Sequence, residues 1–119
     1  METITINGVD YVRADSVKQQ AELFEGMKYV ICRTYSAGAF AGYLAHKEGK
    51  EVVLKKARRI WYWKGAASLS QLAQSGTSDP AGCKFPEAVD SETLTEVIEI
   101  LDVTQVAKQV IEEVPVWKE

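Results

Sequence analysis

Apolar and polar residues alternate with two different periods along the chain, a period of two over most of it and a helical period near its C-terminal end. The first residues alternate around Asn7-Gly8, a dipeptide typical of a tight β-hairpin. Asp15-Ser16 then offers a helix N-cap and Gly26 a stop, so a short helix is expected between them. We interpret residues 1–26 as a hairpin-helix extension and residues 27–119 as the main domain.

Segments rich in β-branched and aromatic residues predict four strands. They span residues 28–34, 39–44, 51–63 and 93–101. A polar turn is expected at His46–Lys50, between the second and the third. The third strand has charges on both parities, so Arg58 and Arg59 point to opposite faces if the strand is regular.

Two helices are expected in the C-terminal half. Ser68-Leu-Ser-Gln71 matches a capping box and predicts a short helix that ends near Gly76. Residues 103–114 place aliphatic side chains at positions i, i+3, i+4, i+7, i+8 and i+11, which is the pattern of one apolar helix face. The elements together predict an α+β fold, a mainly antiparallel β-sheet with two or three short helices.

Composition sets the size and the class of the protein. With 119 residues, 46% hydrophobic and 26% charged, the chain is expected to form one globular domain beyond its extension. The sequence shows no stretch of about 18 apolar residues and no signal-peptide pattern, so we expect a cytoplasmic protein. In that reducing compartment Cys32 and Cys83 are expected to be free and buried. They and His46 are too few for a zinc site, and no metal or cofactor is expected.

The net charge of −3 is unevenly distributed. Residues 27–65 contain nine bases and two acids, whereas residues 87–119 contain nine acids and two bases. A basic middle between acidic flanks suits a small anionic ligand better than a long polyanion. Duplex nucleic acid is not expected as a partner, because its binders normally carry a basic balance over the whole domain.

The sequence contains none of the usual signatures of catalysis. It has one histidine, no Gly-x-Ser-x-Gly elbow and no glycine-rich phosphate loop. Carboxylate pairs such as Glu112/Glu113 are expected on a solvated helix face. We therefore expect no catalytic residues and no enzymatic activity.

The segment from Lys55 to Gln71 concentrates residue types that bind nucleotides. Arginines bind phosphate in a bidentate way, aromatic rings stack on bases, and the start of a helix offers free N–H groups. The candidate ligand contacts here are Arg58, Arg59, Trp61, Ser68, Ser70 and Gln71. Alternatively, Trp61 and Trp63 belong to the core, and the arginines pair with the acidic C-terminal part.

A second cluster, Arg33-Thr-Tyr-Ser-Ala-Gly38, places an arginine beside apolar neighbours on its own strand face. Such an arginine is either paired with a carboxylate or available to an anion. Arg33, Tyr35 and Ser36 therefore join the candidate ligand contacts. Phe85 follows a loop and is either a core residue or a base-stacking ring.

Four motifs together resemble one known family. They are Arg33-Thr-Tyr-Ser-Ala-Gly38, Ala57-Arg-Arg-Ile-Trp-Tyr-Trp63, Gly65-Ala-Ala-Ser-Leu-Ser-Gln-Leu-Ala73 and Cys83-Lys-Phe-Pro86. These motifs resemble small phage and prophage proteins of the Thoeris anti-defence type 1 family. The resemblance covers about residues 27–117 and leaves out the N-terminal extension.

The resemblance implies a signal sponge, which sequesters cyclic ADP-ribose isomers made by bacterial TIR-domain sensors without cleaving them. Family members form dimers, and hexamers that hold cyclic oligonucleotides at a separate site are also described. For this chain the resemblance implies phosphate contacts from Arg33, Arg58 and Arg59, polar contacts at the helix start, and adenine stacked on Phe85 or Trp61.

We therefore expect a homo-oligomeric binder of cyclic nucleotide immune signals that blocks bacterial anti-phage defence. Two alternatives stay open. A phage accessory protein could bind a protein partner through its acidic C-terminal face, or single-stranded nucleic acid through residues 55–64.

Overall fold

A computed structural model of the chain describes residues 19–118. In chain order the elements are β1 (Tyr29–Thr34), β2 (Ala39–Glu48), β3 (Glu51–Ile60), α1 (Leu69–Ser75), a 3-10 turn (Pro80–Gly82), β4 (Val89–Leu94), β5 (Val97–Asp102) and α2 (Gln105–Glu113). Within this range the strands form one five-stranded antiparallel sheet in the order β4-β3-β2-β1-β5. The expected α+β fold is confirmed.

The sheet carries a separate apolar cluster on each face. One cluster, which we call the helix-side cluster, includes Ile31, Phe85 and Ile111 and joins the sheet to both helices. The other, which we call the strand-only cluster, includes Cys32 and Phe40 and is built from strand residues alone. Because successive side chains of a strand point to opposite faces, the neighbours Ile31 and Cys32 belong to different clusters.

The expected fourth strand is two strands, so that expectation is wrong. Thr95 and Glu96 alone separate β4 from β5, which lie at opposite edges of the sheet. The Val97 amide donates to the Lys50 carbonyl and the Tyr35 amide to the Glu96 carbonyl, so the link touches both the β2–β3 turn and the end of β1. Two residues span little distance, and the sheet must therefore be strongly curled around the strand-only cluster.

A bulge in β3 explains why the charges of this strand fall on both parities. Gly42 of β2 lies opposite two residues, Lys56 and Ala57, and Lys56 has a φ of 52°. A Cβ at position 42 would lie 3.0 Å from the Lys55 carbonyl oxygen and 3.1 Å from the Ala57 Cα. Glycine lets the backbones approach this closely, and the extra residue shifts the alternation of side chains by one.

The β2–β3 hairpin is longer and tighter than expected. β2 continues through His46 and Lys47, which pair with Val53 and Val52, although a polar turn was expected from His46 onward. The turn is confined to Gly49-Lys50, and Gly49 has a positive φ of 60°. The strand pairing extends to the end of the hairpin. The polar side chains that predict a loop therefore belong to an exposed part of β2.

Residues 19–26 contain no helix, so the helix expected up to Gly26 is wrong over this range. Phe24 and Met27 pair across Glu25-Gly26, and both turn residues have positive φ. Phe24 and Met27 pack against the helix-side cluster, and this burial in a turn outweighs the helical spacing. The hairpin expected around Asn7-Gly8 lies outside the described residues.

Both C-terminal helices lie where the sequence places them. α1 is capped by Ser68, whose side chain accepts from the Gln71 amide, and it ends at Gly76. α2 is capped by Thr104, and its spacing buries Ala107 and Ile111. In the part of the chain that the structure describes, no helix is long and apolar enough to cross a membrane.

Candidate functional site

The structure gathers several predicted contacts around one surface groove of about 360 Å³. It lies where the β1–β2 turn meets the chain that leaves β3. We call it the aromatic groove, lined chiefly by Arg33, Tyr35, Ser36, Trp61, Trp63 and Leu69. Four of the ten predicted ligand contacts line it.

Two aromatic rings of the groove are strongly exposed, Tyr35 at 78% and Trp61 at 62%. Trp61 follows directly after the end of β3, so the sheet does not cover it. Trp63 is half-buried, and its indole nitrogen donates to the Ala66 carbonyl at 3.1 Å. A flat apolar ring on a concave surface can stack on a planar ligand, as bases do on exposed aromatic side chains.

The β1–β2 turn presents Tyr35 and Ser36 to the groove. The Thr34 hydroxyl donates to the Gly38 carbonyl at 2.7 Å and accepts from the Ala37 amide at 2.8 Å. Gly38 has a φ of 93°, which side chains rarely allow. A fixed turn of this kind holds its two outer residues on the surface.

Arg33 is paired and also has free donors. Its Nε donates to Glu99 Oε1 at 2.9 Å, and half of its side chain is exposed. A guanidinium has five N–H donors, and among residues 19–118 no other acceptor contacts this one. The pairing alternative is observed, and contact of the two terminal nitrogens with a phosphate stays a prediction.

Arg59 lies outside the aromatic groove, in a smaller pocket of about 160 Å³ that shares Thr34 and Ser36 with it. Its guanidinium stacks 4.5 Å from the centre of the Phe40 ring and donates to the Ala37 carbonyl at 2.9 Å. Glu92 lies 3.8 Å from it. The arginine is thus close to the groove and partly neutralised, as the pairing alternative expects.

The expectation that Arg58 joins the other predicted contacts is corrected by the structure, because Arg58 does not line the aromatic groove. Arg58 is only 7% exposed and donates to four carbonyl oxygens at 2.7–3.1 Å. The acceptors belong to Phe85, Pro86, Ile111 and Val114, the last two at the C-terminal end of α2, where the helix dipole is negative. Burial lowers the pKa of this guanidinium. Its role is to join β3 to the end of α2.

Phe85 is a core residue and not a stacking platform. It is fully buried in the helix-side cluster, with its ring 5.5 Å from the Arg58 guanidinium. The sequence left this alternative open, and burial decides it.

Leu69 is the residue of the start of α1 that lines the groove, and the expected contacts Ser68, Ser70 and Gln71 lie outside it. Ser68 Oγ accepts from the Gln71 amide at 3.2 Å, and Gln71 Oε1 accepts from the Ala67 amide at 2.9 Å. Ser70 is exposed and does not line the groove. The helix end is therefore largely satisfied by its own side chains.

Three residues of the site were missed from the sequence. Trp63 and Leu69 line the groove and also pack, partly buried, against the cluster that joins the sheet to the helices, so the core alternative for Trp63 holds in part. Glu99 could not be found from the sequence, because it lies 66 positions from Arg33 and only strand pairing brings the two together.

Within residues 19–118 no cluster of three or more His, Cys, Asp or Glu side chains could hold a metal ion. Cys32 and Cys83 are both free and buried. Burial raises the pKa of the Cys32 thiol to about 11. This thiol is therefore protonated at neutral pH and a poor nucleophile.

Fold and groove together define a small α+β protein with an open aromatic surface site. Residues 27–111 match the model of a family described as a domain of unknown function, DUF6948, and the chain belongs to this family. No curated protein and no solved structure matches the chain.

Proposed function

We propose that this protein is a non-catalytic sponge that binds and sequesters a small cyclic nucleotide signal of the cyclic ADP-ribose class. The observation that carries the proposal is the exposed Trp61 indole in the same groove as Arg33, whose terminal nitrogens contact no acceptor among residues 19–118. The motif resemblance to the Thoeris anti-defence type 1 family supports the choice of ligand.

The groove offers complementary contacts for the parts of such a ligand. Its volume of about 360 Å³ is near the lower end of small-molecule sites. The adenine ring stacks on Trp61 or Tyr35, and a phosphate pairs with Arg33. Because the groove is open, we propose that a second copy of the chain encloses the ligand in a homo-oligomer.

Nearby carboxylates limit how much negative charge the groove accepts. Glu99 pairs with Arg33, and Glu96 accepts from the Ser36 hydroxyl at 3.0 Å. A long polyanion would bring further phosphates against these side chains, whereas a compact ligand brings one or two. This arrangement favours the cyclic nucleotide over single-stranded nucleic acid.

Retention of the ligand without cleavage is also part of the proposal. Neither histidine nor cysteine lines the aromatic groove. Stacking and charge pairing give affinity there without changing a covalent bond of the ligand.

The test is native mass spectrometry of the full chain with a panel of cyclic ADP-ribose isomers and cyclic di- and trinucleotides. Afterwards the protein is heated and the released ligand is analysed. We expect an oligomer with bound ligand that is released unchanged. An altered ligand would establish an enzyme, and no binding would redirect the search to protein or nucleic-acid partners.

Trp61→Ala tests the place of the ligand. We expect it to weaken binding by about tenfold or more, as loss of one stacked base does. Tyr62→Ala is the matched control, because Tyr62 is an adjacent exposed ring outside the groove. Equal loss in the two variants would contradict the proposed site, as would a steep fall of affinity with salt, which is typical of nucleic-acid binding.

A further inference from the structure

A second concave site lies on the helix side of the sheet. This cleft of about 330 Å³ is formed by β3 and the chain at the end of α2, and we call it the β3–α2 cleft. It is lined by Tyr29, Lys56, Arg58 and Glu112 and by the aliphatic side chains of Val114 and Val116. It shares no lining residue with the aromatic groove.

Tyr29 lines this cleft and carries a hydroxyl that is unpartnered within residues 19–118. Tyr29 is only 4% exposed, yet among residues 19–118 its hydroxyl has no hydrogen-bond partner. Burial, the charge of Glu112 and the neighbouring Tyr43 raise its pKa, with an opposing effect of Arg58. A buried hydroxyl without a partner is unfavourable, and a structural role would be served as well by phenylalanine.

Positive charge in the cleft is not balanced by a paired carboxylate. Arg58 is held by carbonyl oxygens, and no carboxylate of residues 19–118 forms an ion pair with it. Four of its five donors are used, which leaves one N–H on Nη1. Among the described residues one carboxylate lines the cleft, that of Glu112, and it lies 3.3 Å from the Lys108 ammonium.

The β3 bulge brings a second cation to the cleft. Lys56 is the bulged residue, with a φ of 52° that is unfavourable for a lysine. Bulges redirect side chains, and strained backbone is retained most often where it serves a function. The Lys56 ammonium lies 4.2 Å from the centre of the Phe24 ring while the residue lines the cleft.

We propose that the β3–α2 cleft binds a small organic anion. Its carboxylate or phosphate group accepts a hydrogen bond from the Tyr29 hydroxyl beside Arg58 and Lys56, and its hydrocarbon part packs on Val114 and Val116. Glu112 disfavours ligands of high charge. The proposal does not depend on the function of the aromatic groove.

The test uses phenyl phosphate and benzoate as probes, with benzyl alcohol as the uncharged control, in calorimetry and NMR titrations of the full chain. We expect both anions to bind and benzyl alcohol to bind at least tenfold more weakly. The stronger of the two anions identifies the charged group that the cleft prefers.

Tyr29→Phe separates ligand binding from folding. It removes the unpartnered hydroxyl and keeps the ring, so stability is unchanged or increased, while the affinity for the anions falls by about tenfold. Lys56→Asn, which suits a left-handed backbone, also lowers the affinity. Tyr43→Phe is the control, because the Tyr43 ring packs edge-on against Tyr29 at 5.0 Å between ring centres and Tyr43 does not line the cleft.

Three results would overturn the proposal. They are no binding of either anion at millimolar concentration, binding unaffected by Tyr29→Phe and Lys56→Asn, and a Tyr29→Phe protein that is clearly less stable. Trp61→Ala is expected to leave anion binding intact, so failure here and failure of the sponge proposal are distinguishable.

Discussion

Arg58 and Arg59 are consecutive in the sequence, and their guanidinium groups lie on opposite faces of the sheet. Arg58 is bonded to the carbonyls that end α2, whereas Arg59 stacks on Phe40 of the strand-only cluster. A pair that reads as one basic motif therefore has one structural member and one surface member. The two arginines are therefore expected to respond differently to substitution by alanine.

Arg58→Ala is expected to destabilise the protein by about 3–5 kcal/mol. The substitution leaves four carbonyl oxygens without their donor and removes the connection between β3 and the end of α2. Urea unfolding measures the loss. Arg59→Ala is the control and should change the free energy of unfolding by no more than about 1 kcal/mol, because its side chain is partly exposed. Equal effects would contradict this assignment.

Phe85→Ala is expected to lower the free energy of unfolding by about 3–5 kcal/mol, since it opens a cavity in the helix-side cluster. Thermal unfolding with calorimetry measures this loss. Trp61→Ala should change stability by only about 0.5 kcal/mol, because its ring is exposed. A Phe85→Ala protein of unchanged stability would show that the ring is not part of the core.

Gly42→Ala is expected to disturb the β3 bulge. The new methyl group would meet the Lys55 carbonyl and the Ala57 Cα at about 3 Å, so we expect a loss of about 1–3 kcal/mol. Gly49→Asn is the comparison, since position 49 has open space and asparagine tolerates a positive φ. Urea unfolding of both variants tests this. Equal stability would mean that the bulge does not need the glycine.

Stability is expected to fall at alkaline pH. Burial raises the pKa of the Cys32 thiol from 9.0 to about 11, so between these values the folded chain binds more protons than the unfolded chain. The thiol's contribution is present in full below pH 9 and is lost as the pH rises through about 11. The free energy of unfolding of the Cys32→Ala variant should decrease less over this range than that of the unmodified protein. Identical slopes for the two proteins would exclude Cys32 as the cause.

Much of the fold could be predicted from local pattern. The strands β1 to β3 and both helices follow from β-branched runs, a capping box and an apolar helix face. The errors fall where tertiary contact overrides the pattern. β4 and β5 look like one strand because nothing in Thr95-Glu96 signals a turn, and the link between them is held by Lys50 and Tyr35.

The candidate site was predictable only in part. Exposed aromatic residues and arginines have the same sequence signature as buried ones, so Trp61 and Phe85 could not be separated from composition. Arg33 has an acidic partner across the β1–β5 pair, which no local spacing reveals. The motifs at residues 33–38 and 57–63 contain Arg33 and Trp61, and burial decided which of their side chains reach the surface.

The sequence by itself determined the α+β class, the Ser68 helix cap and the opposite directions of Arg58 and Arg59, because these depend on local backbone preference and side-chain alternation. Only the tertiary structure decided that Arg58 and Phe85 are buried, that Arg33 and Trp61 share a groove, and that Tyr29 and Lys56 share a cleft. Each of these depends on strand order, the Gly42 bulge and contacts between distant segments. Such contacts form when the whole chain buries its apolar surface away from water, and no single segment of the sequence contains the information for that packing.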